Sequence, residues 1–141
     1  MLTPDDFAGN WSLDRLIVDH TGQMSGRLTG EARWTGRPDG RYAYTETGTF
    51  QLETGPVLKA ERRYIWQWAS ERVVVCFDDD SPFHSFHPSG LVDGSTHLCG
   101  QDTYNVAYDF TGWPDWTATW RVTGPRKNYT STSRYSPALL A

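Results

Sequence analysis

Apolar residues alternate with polar ones along nearly the whole chain, and no segment shows the helical spacing of three and four. Successive Cβ atoms on a strand point to opposite faces, so each alternating run reads as a half-buried strand. Leu28, Gly30, Ala32 and Trp34 oppose Arg27, Thr29, Glu31, Arg33 and Thr35. Beyond the turn Gly36-Arg37-Pro38-Asp39-Gly40, the residues Tyr42, Tyr44, Glu46, Gly48, Phe50 and Leu52 share a face, which puts Glu46 on the apolar side. Another turn, at Thr54, Gly55 and Pro56, leads to Leu58, Ala60, Arg62, Tyr64, Trp66 and Trp68, so Arg62 also points inward. Val73, Val75 and Phe77 follow, and Asp78 to Asp80 make a solvated turn without the longer ligand pattern of a calcium loop. Later faces carry Asp102, Tyr104, Val106, Tyr108 and Phe110, then Trp116, Ala118, Trp120 and Val122, and a last strand spans roughly Arg126 to Arg134. Only Thr3 to Phe7, with Pro and acids at its start, reads as a helical turn.

About nine or ten strands joined by hairpin turns predict an all-β fold, a single antiparallel up-and-down barrel over residues 1–141 with a short N-terminal helical turn. A barrel of this size holds one small ligand. The chain has seven Trp and seven Tyr, a density at which aromatics line a cavity as well as fill a core.

Charge narrows the partners. A formal charge of −4 and a pI near 5.4 provide no basic face for nucleic acid or an anionic membrane. Residues 1–11 show neither a basic nor an apolar leader region, and no apolar run reaches the length of a membrane span. The expectation is a cytoplasmic protein with Cys76 and Cys99 as free thiols. Its oligomeric state is open, a homodimer included.

Several short motifs carry a resemblance. Gly9-Asn10-Trp11 at the start of the first strand resembles the opening signature of the calycins, the lipocalin-like barrels. The Tyr44 to Glu46 run, Arg62-x-Tyr64-x-Trp66, Phe83 to Phe86, His97-x-Cys99-x-x-Asp102-x-Tyr104 and Gly124-Pro125-Arg126-Lys127-x-Tyr129 together look like an uncharacterised family of small calycin-like domains. The resemblance implies the barrel and no activity. It also implies that Trp11 closes the barrel floor under a basic side chain, Arg126 or Lys127, with Arg121 less favoured.

The stretch from Phe83 to Tyr108 holds His84, His87 and His97, Cys99 and Asp102, and no Lys or Arg. Polar side chains carried inward cost free energy unless each finds a partner, so such a wall builds a site. Glu46, Arg62, Tyr64, Asp102, Tyr104 and Tyr108, with Lys127 and Tyr129, are the inward polar set. Their charges either cancel as buried pairs or leave one cation for an anionic group, which Arg grips bidentately. His84 and His87 lie three apart and face opposite sides, so they are no metal pair. His97 and Cys99 share a face, but their spacing matches no strong zinc pattern, and neither metal nor cofactor is expected. A haem held by one axial His remains compatible with the sequence. There is no G-x-S-x-G elbow and no Walker loop.

The leading expectation is a barrel that binds a small, partly anionic organic molecule. Its ligand-binding set is Tyr44, Glu46, Arg62, Tyr64, Trp66, Phe86, His97, Cys99, Tyr104, Tyr108, Trp120, Lys127 and Tyr129. The alternative is a cofactor-independent acid–base enzyme, an isomerase, cyclase or lyase, with His84 as general acid or base tuned by Asp102 or Glu46. A third reading makes the charges structural and predicts that Glu46 and Arg62 touch each other away from solvent.

Overall fold

The computed structural model describes residues 1–138. One helical turn, α1 (Pro4–Phe7), precedes eleven strands: β1 (Gly9–Asp19), β2 (Met24–Gly36), β3 (Tyr42–Leu52), β4 (Val57–Ala69), β5 (Arg72–Phe77), β6 (Pro82–Phe86), β7 (Leu91–Asp93), β8 (His97–Cys99), β9 (Asp102–Asp109), β10 (Trp116–Thr123) and β11 (Asn128–Pro137). Ten of them follow one antiparallel path, β6-β5-β4-β3-β2-β1-β11-β10-β9-β7, and β8 pairs with β9 beside it. The result is a nearly closed, calycin-like barrel.

The wall is continuous at the chain ends, where β1 pairs with β11 from Trp11 opposite Pro137 to Asp19 opposite Tyr129. Its seam lies elsewhere, between β6 and the segment after β7. There Ser95 donates its N–H to the Ser85 carbonyl at 2.8 Å, and the Ser85 N–H donates to Ser95 Oγ at 2.9 Å. Gly94 permits this approach, because a Cβ on it would stand 2.5 Å from Val106 Cγ1. A second pair of glycines shapes the opposite wall. Gly30 on β2 faces Gly48 on β3, and a Cβ on Gly30 would overlap the Thr47 carbonyl oxygen. Without side chains, the two strands can fold sharply over one another at this point.

An aromatic plug fills one end. Thr3 donates its N–H to Asp6 Oδ2 at 2.7 Å, which holds the turn of α1 and drives Phe7 into the barrel, where it is fully buried. Its ring lies 5.6 Å from Trp34, Trp66 and Trp116 and 5.0 Å from Trp113. Trp11 joins them and donates its indole N–H to the Phe7 carbonyl at 2.8 Å. The floor therefore differs from the expected one. Arg126 and Lys127 precede β11, at the opposite end from Trp11, and Arg121 donates to the carbonyls of Val122 and Tyr129 and to Asn128 Oδ1. Aromatic rings cover Trp11 in place of a cation.

Candidate functional site

Above the plug the barrel encloses a cavity of about 550 Å³ that opens at the other end, within the 300–1,000 Å³ usual for small-molecule sites. Period-two alternation decides most of the side chains that enter it, and β6 departs from it by presenting both Phe83 and His84. From β3 and β4 come Tyr44, Glu46, Arg62, Tyr64 and Trp66; β6 adds His84, and β8 adds His97 and Cys99. Tyr104 and Tyr108 of β9, Trp120 of β10, Lys127 and Tyr129 complete the sequence-derived residues on its wall. Two others lie off it. Phe86 packs against Tyr108 with ring centroids 4.0 Å apart, and Asp102 sits outside the mouth.

Glu46 is 2% exposed, and its main partner is a residue that the sequence reading passed over. Arg15 of β1 donates Nη1–H to Oε1 at 2.6 Å and Nη2–H to Oε2 at 2.9 Å, while its Nε–H goes to Ser133 Oγ at 2.7 Å. The Tyr44 hydroxyl donates to Oε2 at 2.5 Å. Burial alone would raise the Glu46 carboxyl, but the bonds and charge of Arg15 and the Tyr44 hydroxyl outweigh it and hold the group below its ordinary range. Glu46 is therefore an anion. Tyr44 has a single proton and gives it to Glu46, so Tyr135, 2.9 Å away, is the donor in the bond between the two hydroxyls. Burial pushes Tyr44 well up and Tyr135 up to about 12, which keeps both protons in place at neutral pH.

The expected Glu46–Arg62 contact is thus secondary. Arg62 Nε lies 3.9 Å from Glu46 Oε1, and the Arg62 side chain is 55% exposed at the mouth. It donates no hydrogen bond to any described residue, and Glu46 Oε1, which it faces, takes its hydrogen bond from Arg15. Lys127 is different. Its Nζ–H donates to Tyr104 Oη at 2.7 Å and stands 3.2 Å from Asp102 Oδ2, and these two partners raise its pKa, Tyr104 foremost. Asp102 also lies against Gly124, where a Cβ would meet its Oδ1, so the carboxylate anchors the turn that carries Lys127.

His84 is buried, and its Nε2 is 2.7 Å from the Tyr108 hydroxyl, while its Nδ1 has no partner. Burial, with a smaller push from His97, lowers its pKa to about 3, so the ring is neutral. The carboxylate expected to tune it is absent from its surroundings: Glu46 is bound to Arg15 and Asp102 to Lys127. His84 and Asp102 are not brought together. His87 is exposed and pairs with the Glu71 carbonyl at 2.6 Å, on the face away from His84 as alternation predicts. Among the described residues, no three His, Cys, Asp or Glu side chains gather as a metal site would require.

Arg15, Ser133 and Tyr135 were legible in principle. Trp11, Leu13, Arg15 and Ile17 alternate inward on β1, as do Tyr129, Ser131, Ser133 and Tyr135 on β11. Extending the face pattern to the first and last strands would have placed all three.

Residues 7–137 match a family of unknown function, DUF6314. The chain belongs to DUF6314. No curated protein matches this DUF6314 chain. Two solved structures share its fold at low identity. The S-type phycobiliprotein lyase CPES from Guillardia theta superposes with a TM-score of 0.64 at 9% identity, covering 98% of the DUF6314 chain and 92% of its own. A protein of unknown function from the DUF3598 family of Nostoc punctiforme PCC 73102 gives 0.59 at 11% identity, with 96% of this chain and 48% of that one covered. At such identities these likenesses concern the fold.

Proposed function

We propose that the DUF6314 barrel binds a small, partly anionic organic molecule, with its anionic group on Arg62 at the mouth and its body against the aromatic wall. One observation carries the reading. Three cations, Arg15, Arg62 and Lys127, line the cavity; Glu46 inside it answers Arg15 and Asp102 outside its mouth answers Lys127, which leaves Arg62, 3.9 Å from the already paired Glu46, as the cation in excess. An unpaired guanidinium beside a low-dielectric cavity attracts a carboxylate and grips it in a planar, bidentate fashion. The wall beneath it offers flat surfaces: Phe83 stacks on Trp120 at 4.9 Å and 9°, and on Tyr64 at 5.6 Å and 26°. That a phycobiliprotein lyase has the same fold supports the reading.

The test is binding of phenylbutyrate, followed by tryptophan fluorescence, since Trp66, Trp116 and Trp120 line the cavity. Replacing Arg62 by Gln is expected to weaken phenylbutyrate about tenfold, or ~1.4 kcal/mol, and to leave the corresponding alcohol unchanged. Equal loss for acid and alcohol, or no binding of the acid to the wild-type protein, would sink the proposal.

A further inference from the structure

The two ends of the cavity differ in what they can accept. At the mouth Arg62 has its donors free. At depth the charge of Arg15 is answered by the Glu46 carboxylate. Arg15 commits three N–H groups to Glu46 and Ser133, Tyr44 gives its only proton to Glu46, and Tyr135 gives its only proton to Tyr44. This row spans β1, β3 and β11 and is electrically closed. What the row leaves to a ligand is the lone-pair capacity of Tyr135 and the hydroxyl proton of Ser133, whose oxygen already accepts from Arg15. Beside the row, Trp116 Nε1–H and His84 Nδ1 are buried without a partner among the described residues, on side chains that line the cavity, and these groups are uncharged as well.

We infer that the ligand is a monocarboxylate that sits with its charged end outward, and that its inner end is an uncharged group able both to donate and to accept hydrogen bonds, such as an amide. This rests on the anion-binding reading above. A second carboxylate at depth would lose its hydration, face the charge of Glu46 and meet lone pairs on Tyr135, with only uncharged donors such as the Ser133 hydroxyl and the Trp116 indole to hold it. Buried charge without a partner is disfavoured far more strongly than a buried amide with one. The Arg15–Glu46 pair therefore acts as a filter on ligand charge, although neither side chain needs to release its partner.

Phenylbutyrate and its para-carbamoyl and para-carboxyl derivatives share one body and differ at the inner end. At neutral pH the carbamoyl acid is expected to bind the wild-type protein at least tenfold more tightly than the diacid. Glu46→Gln releases Arg15 from its counter-ion and should narrow or invert that ratio, a gain of diacid binding that general damage would not produce. Tyr135→Phe keeps the ring and removes the acceptor, and should bring the carbamoyl acid to within about twofold of phenylbutyrate. A diacid that binds the wild type as well as the carbamoyl acid overturns the inference while the anion-binding reading stands. A ratio unmoved by Glu46→Gln, in protein shown by circular dichroism to be folded, overturns the role of the pair. Failure of all three acids to bind overturns both readings together.

Discussion

Replacing Glu46 by Gln keeps the shape of the side chain and removes the charge that Arg15 answers. Arg15 is 6% exposed, and two of its three hydrogen bonds end on this carboxylate at 2.6 and 2.9 Å. Removing one partner of a buried pair costs about 3–5 kcal/mol, because the other charge is left without compensation. The lower end applies here, since both side chains border a cavity that water can enter. A loss of about 3 kcal/mol should lower Tm by roughly 10 °C in a domain of this size. Arg15→Met strands the opposite charge and should cost a similar amount. The double variant removes both charges and should recover a large part of the loss, a coupling of at least ~2 kcal/mol in a double-mutant cycle measured by urea unfolding. Additive single effects, or a Glu46→Gln loss below ~1 kcal/mol, would show that the pair is solvated and not the internal brace inferred from its geometry.

Two more outcomes test the rest of the barrel. His84 has a folded pKa of about 3, depressed below its unfolded value near 6.5, so the unfolded chain binds the extra proton between those limits. Its contribution is present at neutral pH and is lost as pH falls through that window, with a slope approaching ~1.4 kcal/mol per pH unit. Urea midpoints at several pH values should show this slope in the wild-type protein and a shallower one in His84→Gln; identical slopes would refute the assignment. Phe7→Ala empties the centre of the aromatic plug, where the ring is fully buried. A loss of about 3–5 kcal/mol is expected for such a truncation, and a calorimetric cost under ~1 kcal/mol would mean that α1 is not needed to seal the barrel.

Much of the fold was legible because a strand writes its two faces into the sequence at every second residue. Turn residues marked the hairpins for a related reason: Pro and Gly restrict or permit backbone angles locally. The inward direction of Glu46, Tyr44 and Tyr108 followed from the same alternation, and all three are buried. Arg62 was placed correctly on its strand but not in its environment. Alternation gives the side of the sheet, whereas exposure depends on where along the barrel the wall opens. The floor over Trp11 was misjudged because the expected cation came from a resemblance, and this chain places Phe7 and Trp113 there.

By itself the sequence determined the strands, their faces and the presence of inward charge, since each of these depends on residues close together along the chain. The tertiary structure alone decided which charges meet. Arg15 reaches Glu46 across β2, where Gly30 and Gly48 let the sheet fold over, and Lys127 is drawn to Asp102 by the approach of β9 to the last hairpin. Those pairings join residues 31 and 25 positions apart, and they leave Arg62 as the cation without a close partner. Spacing along a strand carries no information about them, because they arise from the coiling of the whole sheet.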